Sequence, residues 1–140
     1  MLLDLAAAEP DRPAVTDLRR SLTRGELVDR ATRLGRWWAG EGVGPGGHVA
    51  CVLGNRVEAV EAVLAATLSG SWLTPVNRHL TVEEVAYVLD DSGSSLVLTD
   101  PEHEDVARRA AGDRPVVVAG DELDRVLAAG PDEPFALTGP

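Results

Sequence analysis

Three strings in this chain carry residue types that could do chemistry, and the spacing and setting of each decide what that chemistry could be. Gly42-Val-Gly-Pro-Gly-Gly47 satisfies G-x-G-x-x-G, the pattern by which a turn of backbone cradles a dinucleotide pyrophosphate. That function needs glycines that follow a strand and open a helix, so that the anion meets a helix N-terminus. Here they follow a helical pattern and open an apolar strand, which makes them a connecting loop. His103-Glu104 starts like a zinc-protease signature, but Ala107 stands where the second histidine must lie one turn later. The other histidines, His48 and His79, fall on separate elements with no Cys or carboxylate at ligand spacing, so no metal site is expected.

The third string is Asn77-Arg-His79. Asn55, Asn77 and Thr99 each fall just after an expected strand, at the edge where open parallel sheets bind ligands. Asn55 reads as a helix cap, and Asn77-Arg-His79 as the turn before Thr81. Asn77 and His79 remain as candidates for cofactor-binding residues, because loops at that edge carry function more often than core positions do. No catalytic residue is assigned. There is no G-x-S-x-G elbow, and a P-loop is excluded because all 13 basic residues are Arg and none is Lys. Cys51 lies inside Val49-Ala-Cys-Val-Leu53 and reads as a buried small hydrophobe.

The elements that would position these residues alternate. Ala14-Val-Thr16 and Ser21-Leu-Thr23 read as a weak hairpin around Asp17-Leu-Arg-Arg20. Thr23 and Glu26 have capping-box spacing, and Leu27, Ala31, Leu34 and Trp38 form an apolar helix face. Arg30, Arg33 and Arg36 line another face, read as solvated rather than as an anion site. A strand over residues 48–53 follows, then a helix capped by Asn55, with Ala59, Val60, Val63, Leu64, Thr67 and Leu68 expected on its inner side and Gly70 at its end. Next come a strand over 72–76 and a helix opened by Thr81 and Glu84 that closes at Gly93. Strands over 95–99 and 115–119 alternate with helices over 102–111 and 121–129. Short loops between alternating strands and helices predict an α/β fold, a mainly parallel sheet with helices on both faces. One subdomain is expected over residues 1–130, with 131–140 a polar tail or truncated linker.

Composition narrows the partners. A net charge of −10 and a pI near 4.6 give no field that would hold a nucleic-acid backbone, so none is expected. The N-terminus carries an acid where a signal peptide needs basic residues, and no apolar segment has the length of a membrane span. A cytoplasmic protein is expected, and the absence of Lys and Ile reads as codon bias in a GC-rich, bacterial genome.

Several strings resemble the adenylate-forming (AMP-binding) superfamily. Leu22-Thr-Arg-Gly-Glu-Leu27 resembles its first core motif, with Arg24 in place of the usual aromatic residue, and Gly42-Val-Gly-Pro-Gly-Gly-His-Val-Ala50 resembles the segment that follows. Leu64-Ala-Ala-Thr-Leu-Ser-Gly70 with Trp72-Leu-Thr-Pro-Val-Asn-Arg-His-Leu-Thr81 resembles the second motif. Glu83-Glu-Val-Ala-Tyr-Val-Leu-Asp-Asp-Ser-Gly93 is similar to bacterial fatty-acid–CoA ligases. The likeness runs from about residue 12 to 118.

It implies part of the large N-terminal domain of an acyl-CoA synthetase, whose full-length form uses ATP, Mg²⁺ and CoA. The family's phosphate loop, adenine and ribose motifs and catalytic Lys have no counterpart in these 140 residues. The chain is therefore expected to bind no cofactor and to be inactive alone, its role architectural. Its implied partner is the missing remainder of the synthetase, or itself as a homo-oligomer, and adjacent Trp37 and Trp38 are expected not to share one core. The alternatives are a free-standing α/β interaction module and a small nucleotide-binding protein.

Overall fold

A computed structural model describes residues 1–130; the expected polar tail or truncated linker lies outside the described residues. The first helix, α1 (Leu2–Ala8), was not anticipated from the sequence. Strands β1 (Pro13–Thr16) and β2 (Ser21–Thr23) form the expected antiparallel hairpin. Its turn is shaped by one carboxylate, since Asp17 Oδ1 accepts from the backbone N–H of Arg19 at 2.6 Å and of Arg20 at 2.9 Å.

Helix α2 (Arg24–Gly40) opens with the full capping box. Thr23 Oγ1 accepts from Glu26 N at 3.2 Å and Glu26 Oε1 from Thr23 N at 3.4 Å. The loop of residues 42–47 then turns the chain, with Gly42 at φ 88° and Gly46 at φ 80°, backbone that suits glycine. It leads from helix to strand, as its sequence context requires.

Strands β3 (His48–Val52), β4 (Trp72–Pro75), β5 (Leu96–Thr99) and β6 (Val116–Val118) form one parallel sheet in the order β4-β3-β5-β6. Alternate residues of β3 serve opposite faces. Val49 and Cys51 pack with α2, α3 (Val57–Ser69) and α6 (Asp121–Ala129), while Ala50 and Val52 pack with α4 (Val82–Ser92) and α5 (Glu104–Ala111). Both faces are thus covered, as a parallel sheet requires. Helix α4 repeats the capping box, Thr81 Oγ1 accepting from Glu84 N at 3.3 Å, and ends in left-handed Gly93.

Helix α3 departs from its expected reading at two points. Asn55 is exposed and does not cap it; the N-cap is Arg56, whose side chain makes no capping bond. Asp17 takes that role from the hairpin, its Oδ2 accepting from Val57 N at 2.8 Å. The inner face is also different. Val60, Val63 and Thr67 point outward, and the buried side is Glu58, Glu61, Ala62, Ala65, Ala66 and Ser69. Small alanines let the helix lie close to the sheet, and the two buried acids find arginine partners, so hydropathy alone assigns the wrong side.

The two tryptophans also depart from expectation. Trp38 is fully buried and Trp37 packs partly buried against the same cluster. At the open edge, Trp72 on β4 is 64% exposed and stacks on His48 with ring centroids 6.4 Å apart. No described helix is long and apolar enough to cross a membrane.

Thr81→Ala should lower stability by about 1 kcal/mol, the usual worth of a cap. Asp17→Ala should cost more, about 2 kcal/mol, because it strips both the turn and the start of α3. Chemical denaturation measures both, and equal midpoints for the two variants would refute the double role of Asp17.

Candidate functional site

The strand order places a switch point between β3 and β5. From β3 the chain passes through α3 to β4 on one side, and from β5 through α5 to β6 on the other. Crossovers that diverge from adjacent strands leave a crevice at their carboxyl ends, the usual ligand position of open α/β sheets. Gly54 and Asp100 stand there, just past β3 and β5.

Asp100 holds the crevice together. It is 2% exposed. Its Oδ2 accepts from Gly54 N at 2.8 Å, and its Oδ1 accepts from His103 N at 3.0 Å and from His103 Nδ1 at 2.7 Å. The ionised carboxylate only accepts, so this bond assigns the ring proton to Nδ1. Burial alone would push the Asp100 carboxyl up, but the bonds from Gly54 and His103 outweigh it and hold the group below the ordinary carboxylate range. The same turn delays α5, which begins at Glu104 rather than at the expected 102.

Beside this clamp lies a polar cleft of about 260 Å³ lined by Leu18, Arg19, Asn55, Arg56, Arg78 and Glu102 together with Gly54 and Asp100. A Cβ at Gly54 would lie at ordinary contact distance from both groups, 3.5 Å from Asp100 Oδ2 and 3.7 Å from Arg78 Nη1, which places this position between the two. Arg56 is spent on buried Glu58, with two contacts of 3.2 Å, and Arg19 reaches Glu102 at 3.4 Å. Arg78 is exposed and makes no ion pair among the described residues. It is the cation this cleft can offer to an anionic group.

The two residues singled out from the sequence flank that arginine without joining it. Asn77 and His79 are exposed, and Asn77 Oδ1 accepts from His79 N at 2.9 Å, which makes the pair a turn. Neither lines the cleft. Thr99 is buried and donates to Val52 O at 2.9 Å, a structural bond between β5 and β3. Asp100 and Arg78 were missed, although each adjoins a residue that had been weighed.

The arginines of α2 are not a solvated face. Arg30 reaches across to fully buried Glu61, Nε to Oε1 at 2.6 Å, and to Asp124 on α6 at 2.9 Å. Arg20 of the hairpin meets the same Asp124 at 2.8 Å. Burial pushes the Glu61 carboxyl up, and its bonds to Arg30 offset only part of that. Arg33 pairs with Asp29 at 3.0 Å and donates to the carbonyls of Leu127 and Gly130. Burial raises the Cys51 thiol to about 12, which leaves it unreactive. Among the described residues no group of three or more His, Cys, Asp or Glu is placed to hold a metal ion.

Asp100→Asn should destabilise the chain by about 1–3 kcal/mol at neutral pH, because an amide has one acceptor oxygen for donors on two sides. With its folded value depressed, the Asp100 contribution is complete above the ordinary carboxylate range near ~3.9 and is lost as pH falls through the lower folded value. The gap between parent and variant should therefore be widest at neutral pH and close on acidification. A gap independent of pH in denaturation midpoints would contradict this.

The model of the AMP-binding enzyme family matches residues 3–135. Among curated proteins, the chain is 33% identical over 132 residues to a feruloyl-CoA synthase from Amycolatopsis sp, covering 94% of this chain and 27% of that protein. Its fold superposes on a benzoate CoA ligase from Burkholderia xenovorans LB400 with a TM-score of 0.88 at 24% identity, covering 99% of this chain and 29% of the other. The N-terminal domain of FACL13 from Mycobacterium tuberculosis gives a TM-score of 0.86 at 25% identity, covering 99% and 37%. The chain thus spans about a quarter of the length of the curated relative, and its α/β fold is that of part of the N-terminal domain of acyl-CoA synthetases. By that match over almost all of its length, the chain belongs to the AMP-binding enzyme family.

Proposed function

We propose that this chain forms the N-terminal α/β part of an ATP-dependent, AMP-forming carboxylic acid–CoA ligase and is inactive alone. The observation that carries this is the family match over residues 3–135 in a chain that spans 27% of a relative of known type. The reaction would join the acid to the α-phosphate of ATP with loss of pyrophosphate, then pass the acyl group to CoA with release of AMP. Its first step builds negative charge on the oxygens around the α-phosphorus, and stabilising that charge takes Mg²⁺ and Lys or Arg. The chain has no Lys, and its described acids do not converge as a Mg²⁺ site requires, so no step is assigned to the metal here.

What these residues supply is a wall. Gly54 and Asp100 fix the carboxyl ends of β3 and β5, and Arg78 presents a cation at the crevice to a phosphate-bearing substrate. Fatty acids are our preferred substrate class, on the likeness of residues 83–93 to fatty-acid–CoA ligases, with aryl acids such as those named for the relatives as the other class.

The purified chain should show no exchange of pyrophosphate into ATP with ferulate, benzoate or a fatty acid. Mg²⁺-dependent exchange above a buffer blank would overturn the proposal of inactivity. Titration with inorganic pyrophosphate, followed by amide chemical shifts, should perturb Gly54 and Arg78, and Arg78→Ala should weaken that binding about tenfold. Equal affinity in parent and variant would remove Arg78 from the site.

A further inference from the structure

The charges around the crevice at the carboxyl ends of β3 and β5 are not equally committed. Asp100 is held by Gly54 N and by both the backbone N–H and Nδ1 of His103, and Arg56 is held by Glu58. Breaking either set would strand a buried carboxylate, which is costly. The pair of Arg19 and Glu102 is different. It joins the hairpin tip to the turn that follows β5, by a contact of 3.4 Å between side chains 47% and 69% exposed, and both residues line the cleft. A long contact in water is worth little and is readily exchanged. The backbone of Arg19 does not share that looseness, because its N–H donates to Asp17 Oδ1 at 2.6 Å, in the turn that also caps α3. Its guanidinium can swing while its root stays at the cleft.

We propose that Glu102 is a built-in competitor at this cleft: it holds Arg19 until a phosphate or diphosphate group displaces it, and that group is then gripped by Arg19 and Arg78 together. This rests on the reading of the cleft as a phosphate site and adds what regulates it. Glu102 decides whether the cleft offers one cation or two. A phosphate carries more charge and more acceptor oxygens than a carboxylate, and the arginine fork fits it at two oxygens at once, so it outcompetes a single exposed Glu. The two arginines come from different elements, Arg19 from the hairpin and Arg78 from the turn before α4, and so can close on one group from two sides. At about 260 Å³ the cleft is smaller than the ~300–1,000 Å³ usual for drug-sized ligands, which suits a phosphoryl group rather than a whole nucleotide.

Amide chemical shifts of the 140-residue chain, followed through a titration with inorganic pyrophosphate at ~0.15 M salt, test this. Glu102→Gln keeps the shape of the side chain and removes its charge. It should tighten binding at least about threefold, the effect of removing one like charge a few ångströms from a multiply charged anion in water. Arg19→Gln should weaken binding. The double variant decides the mechanism. Without Arg19, Glu102 has nothing to withhold, so the gain in binding free energy from Glu102→Gln should shrink by at least about half, whereas a mere change of net charge would leave it intact. Asp91→Asn makes the same change of charge at an exposed residue near the end of α4, where the chain turns to the amino end of β5, and should have no effect. Thermal unfolding checks that each variant is folded, and Glu102→Ala replaces Glu102→Gln if it is not. Equal affinity in Glu102→Gln and the parent overturns the inference, as does a gain that survives the loss of Arg19. Either result leaves the phosphate site standing if the parent binds and Arg78→Ala weakens it. A Gly54 amide that pyrophosphate shifts in neither the parent nor Glu102→Gln would overturn both.

Discussion

Glu61 has no access to water, and that single burial organises one side of the molecule. A buried carboxylate left alone would cost several kcal/mol, so the fold must bring a cation to it. Arg30 of α2 answers, and it reaches Asp124 of α6 as well, which in turn receives Arg20 from the hairpin. Four elements, reaching from the hairpin to α6, are thereby held in one arrangement. Hydrophobic packing alone would tolerate some sliding of α2 over the alanine face of α3. The directional bonds between Arg30 and Glu61 do not, and this is the sense in which such pairs give specificity at the expense of desolvation.

A second carboxylate does comparable work at the ligand edge. Asp100 sits below its ordinary range because three donors converge on it, and two of those belong to the start of α5. The cleft is therefore lined by backbone whose position is settled before any ligand arrives. Asp17 adds the hairpin to the same frame by capping α3 from a distance, and it brings Leu18 and Arg19 to the rim.

Much of the fold could be read from local patterns, because those patterns are local in physics. Both capping boxes, at Thr23 and Thr81, need only residues three apart, and both formed. Apolar runs gave β3 and β5 because strands covered on both faces must be apolar throughout. Where the reading failed, the deciding partner was remote. The inner face of α3 depends on Arg30, which pairs with Glu61, and on Arg56, which pairs with Glu58, and no window along α3 contains Arg30. The cap at Val57 comes from Asp17, 40 residues away. The site was half legible. The switch-point edge followed from strand alternation, but Asn77 and His79 drew attention away from Arg78 between them, since which side chain of a turn points inward depends on how the turn lies against Gly54.

The strand order also has a consequence for the chain as it is made. β3 lies between β4 and β5, yet β5 leaves the ribosome almost fifty residues after it. At the usual ~5–20 residues per second, the central strand waits roughly 2–10 s with one edge unpaired. During that interval Val49, Ala50, Cys51 and Val52 form an uncharged β-prone segment that a neighbouring nascent chain could pair with. Helix α3 and edge strand β4 emerge first, and they can shelter one face and one edge before the rest of the sheet arrives.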